Sequence, residues 1–214
     1  PKDSYRMRGS GGRKSLTAGT NLPNGVIIHY YLPSYDGESD EVKLSIHSED
    51  GELVKEFSNK NKENSIEVKK GGNSFIWNMK YPGAKRLDNM VLWSADFSGA
   101  KAVPGDYLVK LTVNGSELMQ KFTILKDPTS EGTIDDIKEQ FDFVNEINAV
   151  VDKAHKAIEN IRNIKIDLSK FQTEYSENEF AKDLIEKSKI ISSSLDKVEN
   201  ELYQTKNQSN QDPL

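Results

Sequence analysis

The sequence predicts an all-β region followed by an all-α region: an immunoglobulin- or fibronectin-III-like β-sandwich, then a long antiparallel helical hairpin. Three observations carry that expectation. From Asn21 to Lys126 apolar residues recur with a period of two, in short runs separated by Gly, Pro, Asn and Asp. From Thr133 onward the apolar spacing lengthens to that of a helix, about 3.5–3.6 residues. The polar break at residues 173–176 is too short for a second helix to run anything but antiparallel to the first.

Residues 1–20 read as a linker from a preceding domain. Arg6-Met7-Arg8-Gly9-Ser10-Gly11-Gly12-Arg13-Lys14 is basic, glycine-rich and without apolar periodicity. Residues 21–127 form the sandwich. Residues 26–32 read as a buried strand, and residues 42–47 alternate apolar with polar. Asp50-Gly51 closes a hairpin, because glycine accepts the positive φ such turns demand, and residues 53–57 return. Residues 65–69 are expected to form a short edge strand. Gly71-Gly72 punctuates before the run 73–78, and residues 90–93 make a short apolar segment after the Pro82-Gly83 loop. Pro104-Gly105 turns into residues 106–113, Asn114-Gly115 is a second hairpin signal, residues 118–125 complete the set, and Asp127-Pro128 ends it. About seven short strands at this spacing suit a sandwich.

Residues 133–207 form the hairpin, and 208–214 a polar tail. Thr133 caps a first helix over 134–172, with Asp135 and Asp136 suited to the positive end of its dipole. Ile137, Val144, Val151 and Ile158 lie seven apart, with a second row at Ile147, Ala154, Ile161 and Leu168. Ser176-Glu177-Asn178-Glu179 has the spacing of a capping box. The seam of the second helix is Leu184, Ile191 and Val198, with Ala181, Ser188, Leu195 and Leu202 beside it. Two helices bury each seam against one neighbour only. The pair is therefore an incomplete three-helix bundle, and its remaining apolar surface calls for cover by a further helix, the sandwich, or a second copy of the chain. Phe141, Phe143, Phe171 and Phe180 are the largest side chains available for that contact.

Composition narrows the function classes. The 214 residues carry a formal charge of −5, which argues against a nucleic-acid partner. Apolar residues are 35% and the mean hydropathy is −0.69, so the core is thin for the length. Cysteine is absent, which removes disulfides, thiol catalysis and Cys-ligated zinc. No apolar run approaches the ~18 residues of a membrane span. Pro1-Lys2-Asp3-Ser4 does not open a signal peptide.

Catalytic patterns are not found, so no catalytic residue, metal or cofactor is expected. His29, His47 and His155 lie far apart and form no HExxH pair. Asp36-Gly37-Glu38-Ser39-Asp40-Glu41 lacks EF-hand spacing and reads as a solvated loop. No GxSxG, GxGxxG or Walker pattern precedes a strand–helix unit. Aromatic residues concentrate in the β-region. Trp77 fits a sandwich core. Trp93, Tyr81 and Asp96, around the loop 94–99, are the candidates for stacking on and bonding to a carbohydrate.

Several motifs add a resemblance. Asn21-Leu22-Pro23-Asn24-Gly25-Val26-Ile27-Ile28-His29-Tyr30-Tyr31-Leu32, Asn73-Ser74-Phe75-Ile76-Trp77-Asn78-Met79-Lys80-Tyr81-Pro82-Gly83-Ala84, Val91-Leu92-Trp93 and Val103-Pro104-Gly105-Asp106-Tyr107 resemble signatures of a module in large bacterial proteins. Those proteins carry a sortilin-like β-propeller of neuraminidase repeats and are commonly labelled glycosyl hydrolases. Residues Phe141, Ile147, Asn148, His155, Ile158, Ile161 and Arg162 are similar to the family's helical bundle. The resemblance implies an exported protein, with the chain lying C-terminal to a propeller that acts as its partner. It also implies that Pro1-Lys2-Asp3-Ser4-Tyr5-Arg6 is the propeller's exit strand and that a further helix follows the tail. Two departures stand out: Asn78 replaces the favoured Asp, and Ser94-Ala95-Asp96 begins an Asp-box that Ser98 breaks. The role implied is that of an accessory region without catalysis.

Overall fold

The computed structural model describes residues 4–6, 23–37, 39–88, 90–91 and 97–204. These form two β-sheets and two long helices, divided between two compact units. One holds residues 1–82 and 98–145, the other residues 83–97 and 146–214. Residues 83–97 group with the second unit and residues 134–145, the start of the helical region, with the first.

In the first unit the strands are β1 (Ser4–Arg6), β2 (Val26–Leu32), β3 (Val42–Ser48), β4 (Leu53–Ser58), β5 (Gly71–Trp77), β6 (Gly105–Val113) and β7 (Ser116–Lys126). One sheet has the order β1-β7-β6-β3-β4, and the other pairs β2 with β5. All pairings are antiparallel except β1 with β7. Between the sheets lies one core. β2 and β5 supply Val26, Ile28, Leu32 and Trp77; the larger sheet supplies Val42, Leu44, Ile46, Val54, Tyr107 and Ile124. Period two is what puts them there, since alternate residues of a strand face the same side. Trp77 is fully buried, edge-on to Tyr107 and Phe122, and its indole N–H donates to the Lys80 carbonyl at 3.2 Å.

Turn chemistry follows the sequence. Asn114 and Gly115 both take positive φ, 48° and 86°, in the β6–β7 hairpin, and Gly51 takes 85° between β3 and β4. Asn114 also ties in the acidic loop: its amide donates to Asp40 Oδ1 at 2.7 Å, and its carbonyl oxygen accepts from Glu41 N–H at 2.9 Å. Asp40 further accepts from Asp36 N–H, so this carboxylate serves loop closure.

Three strand expectations need correction. Residues 65–69 form no strand; Ser65 makes one isolated bridge to Ser58. The reason is Asn73, whose amide accepts from Lys69 N–H and donates to Lys69 and Gly71 carbonyls, holding the segment by a side chain instead of a ladder. Gly71 and Gly72 lie inside β5, opposite Leu32 and Tyr31. Of the apolar segment 90–93, Leu92 and Trp93 fall outside the described residues. At the other end, Ser4–Arg6, expected to be linker and propeller exit, is a strand parallel to residues 124–126 of β7.

The helices are α1 (Ile134–Glu174) and α2 (Lys182–Leu202). Thr133 caps α1 as expected: its hydroxyl accepts from Asp136 N–H at 3.1 Å, while the Asp136 carboxylate accepts from Thr133 N–H at 2.7 Å. The second cap differs. Ser176 donates to the Thr173 carbonyl and caps nothing. Asn178 Oδ1 instead accepts from Phe180 N–H and starts a 3-10 turn, Glu179–Ala181, that leads into α2. An Asn reaches the second N–H ahead directly, whereas Glu179 is engaged by Lys182 at 2.8 Å.

Candidate functional site

Residues 146–204 of the second unit carry the hairpin. Its direction is fixed by cross-helix contacts. Gln172 donates to Ser188 Oγ at 2.9 Å, Lys165 pairs with Asp196 and Glu199, and Arg162 Nε donates to Glu199 Oε1 at 2.7 Å. As residue numbers fall along α1 they rise along α2, so the two run antiparallel.

The inward face of α2 has the expected period with a shifted phase. Ala181, Ser188 and Glu199 are buried, and Ile185, Ser192 and Leu195 are half-buried. Those positions alternate four and three residues apart, the spacing of a helical seam. The expected seam residues lie one position earlier and face outward: Leu184 is 55% exposed, Ile191 49% and Val198 46%. Ser188 and Glu199 can face inward here because each has a partner. Burial pushes the Glu199 carboxyl up, but hydrogen bonds from Arg162 and Lys165 outweigh it and hold the group below the ordinary carboxylate value. The hydrogen bond to Asp196 is the main cause that raises the Lys165 ammonium above its ordinary value.

On α1 the expected seam is realised unevenly. Ile158 and Ile161 are buried, and Val151, Ala154 and Leu168 are half-buried, but Ile147 is exposed. In the first unit Ile137 is buried, Val144 is half-buried, and Phe141 meets the Tyr81 ring edge-on at 4.7 Å.

Rotation about each axis decides where the outward apolar residues lie. On α1, Val150, Ala157, Ile161 and Ile164 are turned about 60–120° from the contact line through Ile158 and Lys165, in the sense of decreasing angle. On α2, Leu184, Ile191, Val198 and Leu202 are turned about 60–100° in the same sense from the line through Ala181 and Glu199. In antiparallel helices equal senses meet on one side of the pair. Where the helices run side by side both stripes therefore border a single groove, and its outermost members, Ile164 on α1 and Leu184, Ile191 and Val198 on α2, remain about half exposed.

The opposite side is covered. Lys85 N–H donates to Asp152 and the Lys85 ammonium pairs with Glu159 at 2.8 Å. The buried imidazole of His155 donates through Nδ1 to the Lys85 carbonyl at 2.5 Å, with Phe97 against its ring. Ala84 and Leu87 are buried in the same unit, and Val91 N–H donates to Tyr203 Oη. Lys85, Val91 and Phe97 thus lie on one side of the hairpin, and the apolar groove on the other.

Of the residues expected to bind a carbohydrate, Tyr81 is half-buried, packs against the sandwich core and meets Phe141 edge-on. Trp93 and Asp96 lie outside the described residues. Burial also pushes the Tyr81 hydroxyl above its ordinary value. Among the described residues no three His, Asp or Glu side chains converge as metal ligands, and no helix is long and apolar enough to cross a membrane. The Arg162–Glu199–Lys165 cluster escaped the sequence reading. Its signal was a charged residue at an inward heptad position, visible only once the phase of α2 is known.

Among the described residues the chain has two sheets, two long helices and an apolar groove on the hairpin. Searches against protein-family models, curated proteins and solved structures found no match for the chain.

Proposed function

We propose that the chain is a non-catalytic accessory and interaction region of a larger exported β-propeller protein of the glycosyl-hydrolase type. In this reading the sandwich is immunoglobulin-like and the hairpin groove receives an amphipathic helix of that larger protein. The single observation that carries the proposal is the apolar groove of the second unit, bordered by Ile164, Leu184, Ile191 and Val198. Burying one such side chain stabilises an association by about 1.5–3 kcal/mol, and a groove between two antiparallel helices has the form that a third helix fills. Support for the immunoglobulin-like assignment comes from the buried Trp77 and from Tyr107, whose hydroxyl donates to the Val103 carbonyl four residues upstream at 2.9 Å, as in a tyrosine corner.

Sedimentation velocity combined with binding of the dye ANS tests this. The expected outcome is a monomer that binds ANS and loses that binding in Leu184→Lys/Ile191→Lys, with helical circular dichroism unchanged. A dimer abolished by the same substitutions would replace the larger protein's helix with a second copy. A monomer that binds no dye would remove the docking role.

A further inference from the structure

Unit one carries a second surface, unrelated to the hairpin groove. The two-stranded sheet pairs His29 with Ser74 and Tyr31 with Gly72. Val26, Ile28, Leu32, Asn73 and Trp77 of the same strands are buried, so by alternation His29, Tyr31, Gly72 and Ser74 belong to the outer face. Tyr31 is 70% exposed. Gly72 opposite it has no side chain, and a Cβ built there would meet nothing within 4 Å. A ring thus stands beside a bare floor. The clamp made by Asn73 brings residues 67–69 to the rim, adding Glu67 and Lys69, and these residues line an open cavity of about 860 Å³. That lies within the ~300–1,000 Å³ of small-molecule sites.

The polar groups around this floor are uncommitted. Among the described residues none offers a hydrogen bond or ion pair to the side chains of His29, Tyr31, Glu67, Lys69 or Ser74. Together they present a carboxylate, an ammonium, a hydroxyl and an imidazole beside an aromatic face. One negative and one positive side chain cancel, which removes the field that would select a phosphate or an acidic peptide. What matches is a flat neutral ligand with one apolar face and hydroxyls at its edge that both donate and accept. A pyranose ring has that form: its C–H face stacks on the aromatic ring, and its hydroxyls bond to the rim. We infer that the outer face of β2 and β5 is a binding site for a neutral oligosaccharide, with Tyr31 as the stacking platform and His29, Glu67, Lys69 and Ser74 as hydroxyl partners.

The test is titration of the whole chain with neutral gluco-, xylo- and chito-oligosaccharides, followed by calorimetry and by amide chemical shifts. Saturable binding is expected, with shifts centred on His29, Tyr31 and Ser74. Tyr31→Ala should weaken it at least about tenfold, while Tyr31→Phe should largely retain it. Gly72→Leu should block the floor with the fold intact, judged by near-ultraviolet circular dichroism. Phe180→Ala, which removes an exposed ring elsewhere, should change nothing. Absence of binding at millimolar sugar would overturn the assignment, as would binding of acidic glycans only, or binding that Tyr31→Ala leaves unchanged.

Discussion

Glu199 accepts a 2.7 Å hydrogen bond from Arg162 Nε while its second oxygen accepts from Lys165 at 3.1 Å. The carboxylate is buried, and its two cationic partners are each about one-third exposed. The rotation of α2 against α1 thus places a paired carboxylate on the same inward face as Ala181, Ile185 and Leu195.

Glu199→Gln should destabilise the hairpin at neutral pH. Breaking a fully buried pair costs about 3–5 kcal/mol, and solvent at the two cations reduces the expectation to about 1–2 kcal/mol. The sign with pH follows from the depressed carboxyl. Its contribution is complete above the ordinary value of 4.5 and is lost as pH falls through the lower folded value. Urea melts followed by helical circular dichroism should separate the two proteins at pH 7 and bring them together in strong acid. A gap independent of pH would assign the effect to packing.

Gly99→Ala and Gly115→Ala should differ sharply. A Cβ at Gly99 would stand 2.1 Å from the Tyr81 carbonyl oxygen and 2.3 Å from that of Pro82, both backbone atoms. Near it the chain forms a short ladder, Tyr81 N–H to Ala100 O and Ala102 N–H to Met79 O, where it leaves and re-enters the first unit. Gly115 needs its φ of 86° but has open space around it, so alanine there should cost about 1 kcal/mol. Thermal melts should show a larger loss for Gly99→Ala, with a reduced near-ultraviolet signal from Trp77. Equal losses would mean that the ladder opens easily.

His155→Ala should loosen the hold on Lys85 and Phe97. It removes the donor to the Lys85 carbonyl and the ring against Phe97, together about 1–2 kcal/mol. Trypsin cleavage after Lys85 and Arg86 should accelerate several-fold, with α2 still helical. Unchanged cleavage would assign the hold to Asp152 and Glu159.

Much of the fold could be read from the residues because local chemistry agrees with it. The runs 26–32 and 42–47, the turns at Gly51 and Asn114-Gly115, and the Thr133 cap each depend on neighbours in sequence. What escaped depended on distant partners. The strand expected at 65–69 yielded to a side chain in β5, and Ser4–Arg6 found its ladder on β7, more than a hundred positions away. The phase of α2 was missed because apolar pattern favours Leu184, Ile191 and Val198 inward, while Glu199 and Ser188 have partners on α1 that pattern does not weigh. The outer face of β2 and β5 was legible only as aromatic content, since the pairing of Tyr31 with a glycine requires the register.

Because residues 83–97 are borrowed from between two strands of the sandwich, neither compact unit is an uninterrupted stretch of sequence. The chain visits the helical unit, comes back to lay down β6 and β7, and departs again. Separating one unit from the other means cutting the polypeptide in three places, after residues 82, 97 and 145.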